Sequence, residues 1–197
     1  MSSTTSEQRG FRPARTNDGA AFRTTLYPTQ ARNARAIFSG DPLYLINGRV
    51  QVWTTQASAD APPLIGIAGG VLDGNKRPFT HSLPSGGPFI PASTAGFVMV
   101  YDDPDTVFIA QANTSVGTSH TLQFATVSVG TPVTAAGKSG FELNVGSAVV
   151  SAAGEPFQIL GLAPFELDGL GGTSNKVLCR ISNHGLRRQS RLTPFAE

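Results

Sequence analysis

Phe97-Val98-Met99-Val100-Tyr101-Asp102-Asp103-Pro104-Asp105-Thr106-Val107-Phe108-Ile109-Ala110-Gln111 decides the fold class. Two apolar runs, Phe97–Tyr101 and Thr106–Gln111, flank an acidic corner of four residues. Val, Phe, Tyr, Ile and Thr dominate the runs, and such residues suit pleated, half-buried strands. Pro104 fixes its own φ and biases Asp103 toward extended backbone, while aspartates readily accept hydrogen bonds from turn amides. The stretch therefore predicts strand, tight corner, strand, a central hairpin with Asp102, Asp103, Pro104 and Asp105 as its structural turn. Clustered carboxylates also suit Ca²⁺, but the twelve-residue calcium-loop pattern is absent, so the turn reading is preferred.

Composition extends this reading to the whole chain. Glycine and proline occur 22 and 14 times in 197 residues, and no interval free of both exceeds 13 residues. Proline breaks helices and each interior glycine costs about 1 kcal/mol, so long helices are excluded and many short strands remain. Only 14% of residues are charged, against roughly 25% in ordinary soluble domains. The 40% apolar fraction is enough to build a core.

Asn47-Gly48 is the strongest short hairpin signal, between strands Leu43–Ile46 and Arg49–Trp53. Further strands are expected at Leu64–Ala68, Thr121–Val129, Phe141–Val145, Phe157–Leu162 and Lys176–Ser182. Ala125-Thr126 shifts the apolar phase and marks a bulge. Gly69 to Pro91, with five Gly and four Pro, is expected to be an irregular excursion. A loop of that length is usually functional, here as an interface because it has few groups able to do chemistry.

Residues 1–36 are expected to form an extended arm. Phe11, Phe22, Leu26 and Tyr27 fall in it without periodicity, and Gly10, Pro13, Gly19 and Pro28 interrupt it. A β domain follows over 37–184, and a basic tail over 185–197. Six arginines against two acidic residues give residues 1–35 a net charge of +4, while residues 36–179 carry −5 and 180–197 carry +3. Basic ends on a mildly acidic body point to termini that reach for an anionic surface or an acidic partner. Arginine, rather than lysine, fits bidentate contact with carboxylates. The arginines are spread along an irregular segment with no nucleic-acid-binding motif around them, so no direct nucleic-acid contact is expected.

Candidate chemistry is sparse. Cys179, the only cysteine, sits in a strand-like alternation and reads as a core residue. His81, His120 and His184 form no spaced metal motif. Gly169–Gly172 neither follows a strand nor opens a helix, so it is no phosphate cradle. No nucleophile elbow or triad spacing occurs, and Glu142 and Glu155 have nothing that pairs them. The expectation is no catalytic residue, no metal and no cofactor, and no concave pocket with convergent polar groups. The first residues lack the apolar core of a signal peptide, and no apolar run approaches the roughly 20 residues of a membrane span. Synthesis in the cytoplasm without a membrane partner is expected.

The order of several short motifs resembles the head decoration, or cement, proteins of tailed bacteriophages, whose body is β-tulip-like. The motifs are Gly10-Phe11-Arg12-Pro13, Ser39-Gly40, Tyr101-Asp102-Asp103-Pro104 followed by Phe108 and Gln111, Phe157–Gly161, and Val177-Leu178-Cys179-Arg180-Ile181-Ser182-Asn183-His184. The resemblance implies an all-β chain with one β-barrel or β-tulip-like domain. It implies a body on the outer surface of the virion and an arm running across neighbouring major capsid subunits, and no catalytic residues are known for the family. Phe11, Phe22 and Tyr27 are expected to anchor the arm in capsid crevices, and Arg12, Arg15, Arg23 and Arg32 to meet capsid carboxylates. A dimer or trimer would seat multivalently. The arginine-rich end after His184 lies outside the resemblance. The alternative is a carbohydrate- or receptor-binding β module on a virion surface. Such modules usually show clustered exposed aromatics, whereas the one tryptophan, Trp53, falls in an expected core strand.

Overall fold

The computed structural model describes residues 10–30, 33–54, 62–78, 88–150, 155–163 and 175–187. Strands account for the regular structure among them, with two 3-10 turns at Thr118–His120 and Thr134–Ala136. The early strands are β1 (Arg12–Thr16), β2 (Thr25–Pro28), β3 (Pro42–Ile46), β4 (Arg49–Val52) and β5 (Leu64–Leu72). Then come β6 (Phe97–Tyr101), β7 (Thr106–Gln111), β8 (Phe124–Val129), β9 (Phe141–Val149), β10 (Phe157–Leu162) and β11 (Lys176–Ile181). They form two antiparallel sheets, a six-stranded one in the order β1-β7-β11-β10-β8-β9 and a five-stranded one in the order β2-β6-β5-β3-β4.

One hydrophobic cluster joins the sheets. Phe108, Leu143, Phe157 and Cys179 enter it from the first, and Leu43, Ile67, Val98 and Val100 from the second, all of them fully buried. Alternation explains the choice of face: Val98 and Val100 point inward, and Phe97, Met99 and Tyr101 outward. The Asn47-Gly48 hairpin forms as expected, with both residues at positive φ (50° and 73°) and Ile46 opposite Arg49. The phase shift at Ala125-Thr126 is a register irregularity between Phe124 and Thr126. Part of the expected excursion is strand, because Gly69–Leu72 continues β5 and pairs with β6. Residues 79–87 of it lie outside the described residues.

The opening stretch is corrected in one essential respect. Its two strands do not pair: β6 belongs to the five-stranded sheet and β7 to the six-stranded one. The Asp102–Asp105 corner is a crossing between sheets, not the tip of a hairpin. Turn chemistry is the same in both cases, with Asp103 Oδ1 accepting from the Asp105 amide at 2.9 Å and Asp103 O from the Thr106 amide at 3.1 Å.

The expected arm is corrected as well. β1 pairs with β7 along the six-stranded sheet, and β2 pairs with β6 along the five-stranded one. The two strands within residues 10–30 are thus edge strands, one in each sheet. Phe11 is 1% exposed and stacks on Phe157 at 4.4 Å. It fills this chain's own core and is withdrawn as a capsid anchor.

A single barrel is corrected to two open sheets. Each sheet curls until distant strands touch, at Thr29↔Val50 in one and Ala112↔Leu143 in the other. These are isolated bridges, whereas a barrel closes through a continuous ladder.

Candidate docking face and the acidic corner

The outer face of the five-stranded sheet carries a connected apolar strip. On β6, Phe97, Met99 and Tyr101 face outward, and Met99 is 40% exposed. Leu26 of β2 lies opposite Met99 in register and is 39% exposed. Phe22 meets the Tyr101 ring edge-on at 5.9 Å. At the other end Lys76 Nζ lies 5.3 Å from the Phe97 ring centre, within cation–π range.

Two glycines of the neighbouring strand β5 make room for the strip's side chains. A methyl group on Gly69 would come within 2.6 Å of the Tyr101 ring, and one on Gly70 within 2.7 Å of Met99 Cε. The glycine pair therefore leaves a trough that these two side chains occupy, a use of glycine that composition alone does not reveal.

Asp102 anchors the rim of this face. Its side chain is fully buried, with Oδ2 accepting from the Tyr27 hydroxyl at 3.0 Å. Arg23 Nε stands 3.3 Å from Oδ1 in an ion-pair contact that lacks hydrogen-bond geometry, while the rest of the arginine is exposed. Burial, and then the bond to Asp102, push the Tyr27 phenol up to about 12. A buried carboxylate needs such partners, and both come from the N-terminal segment. No local sequence pattern links Tyr27 to Asp102, because the two stand 75 positions apart.

The C-terminal segment closes the other side. Arg187 pairs with Asp105. His184 is 1% exposed, its Nδ1 accepts from the Leu186 amide at 3.1 Å, and its Nε2 has no partner. Asn183 and Gly185 exchange backbone bonds with Leu64 at the start of β5. Burial, followed by Arg187, lowers the His184 pKa to about 4 against the opposing pull of Asp102, Asp103 and Asp105. The corner is thus a knot in which both terminal segments are tied to the body, and its chemistry is structural.

The remaining expected contact residues divide. Phe22, Arg23 and Tyr27 gather at the strip and its rim. Arg12 and Arg15 lie on β1 at the edge of the other sheet, with Arg15 exposed. Arg32 lies outside the described residues, as do His81, Gly169–Gly172 and residues 188–197 of the tail. Trp53 is buried, its indole N–H donating to Pro62 O at 3.1 Å. Cys179 is fully buried in β11, and burial pushes its thiol up. Among the described residues no three His, Cys, Asp or Glu side chains converge to hold a metal ion.

A concave pocket lies between the Ala34–Asp41 segment and the β8–β9 connection; Arg35, Asp41 and Thr134 are the polar residues among those described along it, and Asp41 itself is buried.

Comparison of the chain with family models, with curated proteins and with solved structures finds no match to any of them.

Proposed function

We propose that the chain is a structural virion protein, a decoration or cement protein that sits on the outer surface of a bacteriophage head and clamps neighbouring major capsid subunits. It is made in the host cytoplasm and acts without catalysis or cofactor, as a dimer or trimer whose copies seat together. In this reading the two curled sheets are the β-tulip-like body of that family.

The exposed Phe22–Tyr101–Met99–Phe97 strip, with Leu26 beside it, carries the proposal. A contiguous apolar patch framed by polar groups is the usual mark of a protein interface. Aromatic and methionine side chains are the residues enriched there. Arg23 and Lys76 frame the strip with positive charge, which fits a partner surface bearing carboxylates. The contact is thus made by a face of the body rather than by a free arm.

The test uses undecorated heads and the variant Leu26→Asp/Met99→Asp. About 40% of each side chain is exposed, so burying the remainder is worth roughly 1 kcal/mol apiece, and affinity in cosedimentation should fall at least about tenfold. Leu26 and Met99 face each other in register, so the paired aspartates should cost up to about 1 kcal/mol and lower the thermal midpoint by a few degrees without unfolding the chain. Equal binding of variant and wild type, or no binding by wild type, overturns the proposal. Binding to a glycan array with loss in the same variant would favour the carbohydrate-binding alternative.

A further inference from the structure

The outer face of the six-stranded sheet differs in kind from the apolar strip. Phe108 and Ala110 of β7 and Val177 and Cys179 of β11 enter the hydrophobic cluster, so the residues between them point away from it. Register then places arginines around an aliphatic centre. Arg12 of β1 lies opposite Ile109, which lies opposite Leu178 of β11. Arg15 lies opposite Val107, which lies opposite Arg180. Arg15 and Arg180 thus flank Val107 in one row, about 10 Å apart at the backbone, or two interstrand spacings.

The six strands carry Arg12, Arg15, Lys176 and Arg180 and a single acidic residue, Glu142. Glu142 accepts from the Gln111 side-chain amide at 2.8 Å, and Asp105, just ahead of β7, is paired with Arg187. Arg180 Nε donates to Gln158 Oε1 at 2.9 Å, which holds that guanidinium on the face. Arg15 is exposed and has no hydrogen bond or ion pair among the described residues, whereas Arg12 and Lys176 each have an interaction of their own. Ile109 and Leu178 are partly exposed. Two guanidinium groups in one row repel each other, and an anion between them relieves that repulsion.

Three occupants can be weighed. A second copy docking by the same face would set arginine against arginine. A nucleic acid would supply phosphates, but the centre of the face is aliphatic and offers no aromatic ring on which bases stack. An acidic protein segment supplies carboxylates for the arginines and apolar side chains for Ile109 and Leu178. We infer that this face docks an extended segment of an acidic partner protein, one that presents an aliphatic side chain between two carboxylates. In an extended chain, residues i, i+2 and i+4 share a face, so the pattern is Glu-x-Leu-x-Glu. The face belongs to the sheet that does not carry the strip, and its binding is independent of capsid binding.

NMR titration in low-salt buffer at neutral pH tests it with capped peptides and a nucleotide of equal charge. The peptides are Glu-Thr-Leu-Thr-Glu and its Gln-Thr-Leu-Thr-Gln counterpart, and the nucleotide is a thymidine trinucleotide with two phosphodiesters. The Glu peptide should bind saturably, at least about threefold tighter than the Gln peptide, the margin of two exposed ion pairs. The shifted amides should be those of β1, β7 and β11. Arg15→Glu, at an exposed and unpaired position, should erase the preference for the Glu peptide without unfolding the chain. Leu26→Asp/Met99→Asp should leave it unchanged. Equal affinities for the two peptides, tighter binding of the trinucleotide, shifts confined to the apolar strip, or a preference that persists in Arg15→Glu overturns the inference. Concentration-dependent shifts of the same amides without peptide would assign the face to a second copy and likewise overturn it.

Discussion

Phe11 and Phe22 stand eleven positions apart in one arginine-rich segment, and nothing in their local sequence separates them. Phe11 is 1% exposed and stacked on Phe157, whereas Phe22 is 40% exposed. Phe11→Ala should therefore cost about 3–5 kcal/mol in denaturant unfolding, as for any large core aromatic. Phe22→Ala should stay below about 1 kcal/mol, the range of a surface truncation. Equal losses would mean that the segment packs differently. Cys179 shows the opposite case: its alternating neighbours marked it as a core residue, and it is one.

Among the elements, the strands with regular alternation or turn punctuation were legible. Phe97–Tyr101, Thr106–Gln111 and Phe157–Leu162 are strands over their expected residues, and the Asn47-Gly48 hairpin forms where it should. β1 and β2 were not legible. Each contains a proline and lacks alternation, which is tolerated because each is an edge strand with one side unpaired. Their conformation is imposed by β7 and β6, which lie about 70–95 residues away. A chain beginning at Gln30 would lose one strand from each sheet, the Phe11 ring and both partners of Asp102. It should lose cooperative thermal unfolding altogether. A sharp transition for that truncation, followed by circular dichroism, would contradict the weaving of the N-terminal segment into the sheets.

For the whole molecule, two buried groups bend stability in opposite directions with pH. His184 titrates near 6.5 when unfolded and about 4 when folded, so the unfolded state holds more protons between those values. Its contribution is complete above about pH 6.5 and is lost as pH falls toward 4. Asp41 moves from 3.8 to about 7, so the folded state holds more protons between them. Its contribution is complete below 3.8 and is lost as pH rises through 7. Across the shared window the slopes offset one another in the wild type. Relative to wild type, Asp41→Asn should gain thermal stability from pH 4 to 8, and His184→Gln should gain it from pH 7 to 4. Differences that stay flat with pH would refute the assignment. Asn retains an acceptor for the Phe38 amide, so the first comparison isolates the charge.

The sequence by itself determined the all-β class, because closely spaced glycine and proline leave no room for long helices while β-branched and aromatic runs demand sheets. It also placed β3, β4, β6, β7, β10 and β11 to within one residue, since those limits follow from local turn chemistry and alternation, whereas one limit of β5, β8 and β9 falls three or four residues from its expected place. Apart from the Asn47-Gly48 hairpin, only the tertiary structure decided which strands pair. Asp102–Asp105 turns the chain equally well at the end of a hairpin or between two sheets, and the choice rests on which partners β6 and β7 find. The same long-range pairing brought Tyr27 and Arg23 to Asp102 and set Tyr101 against Gly69 and Met99 against Gly70. Those contacts join residues far apart in the chain, where neither period nor propensity carries information.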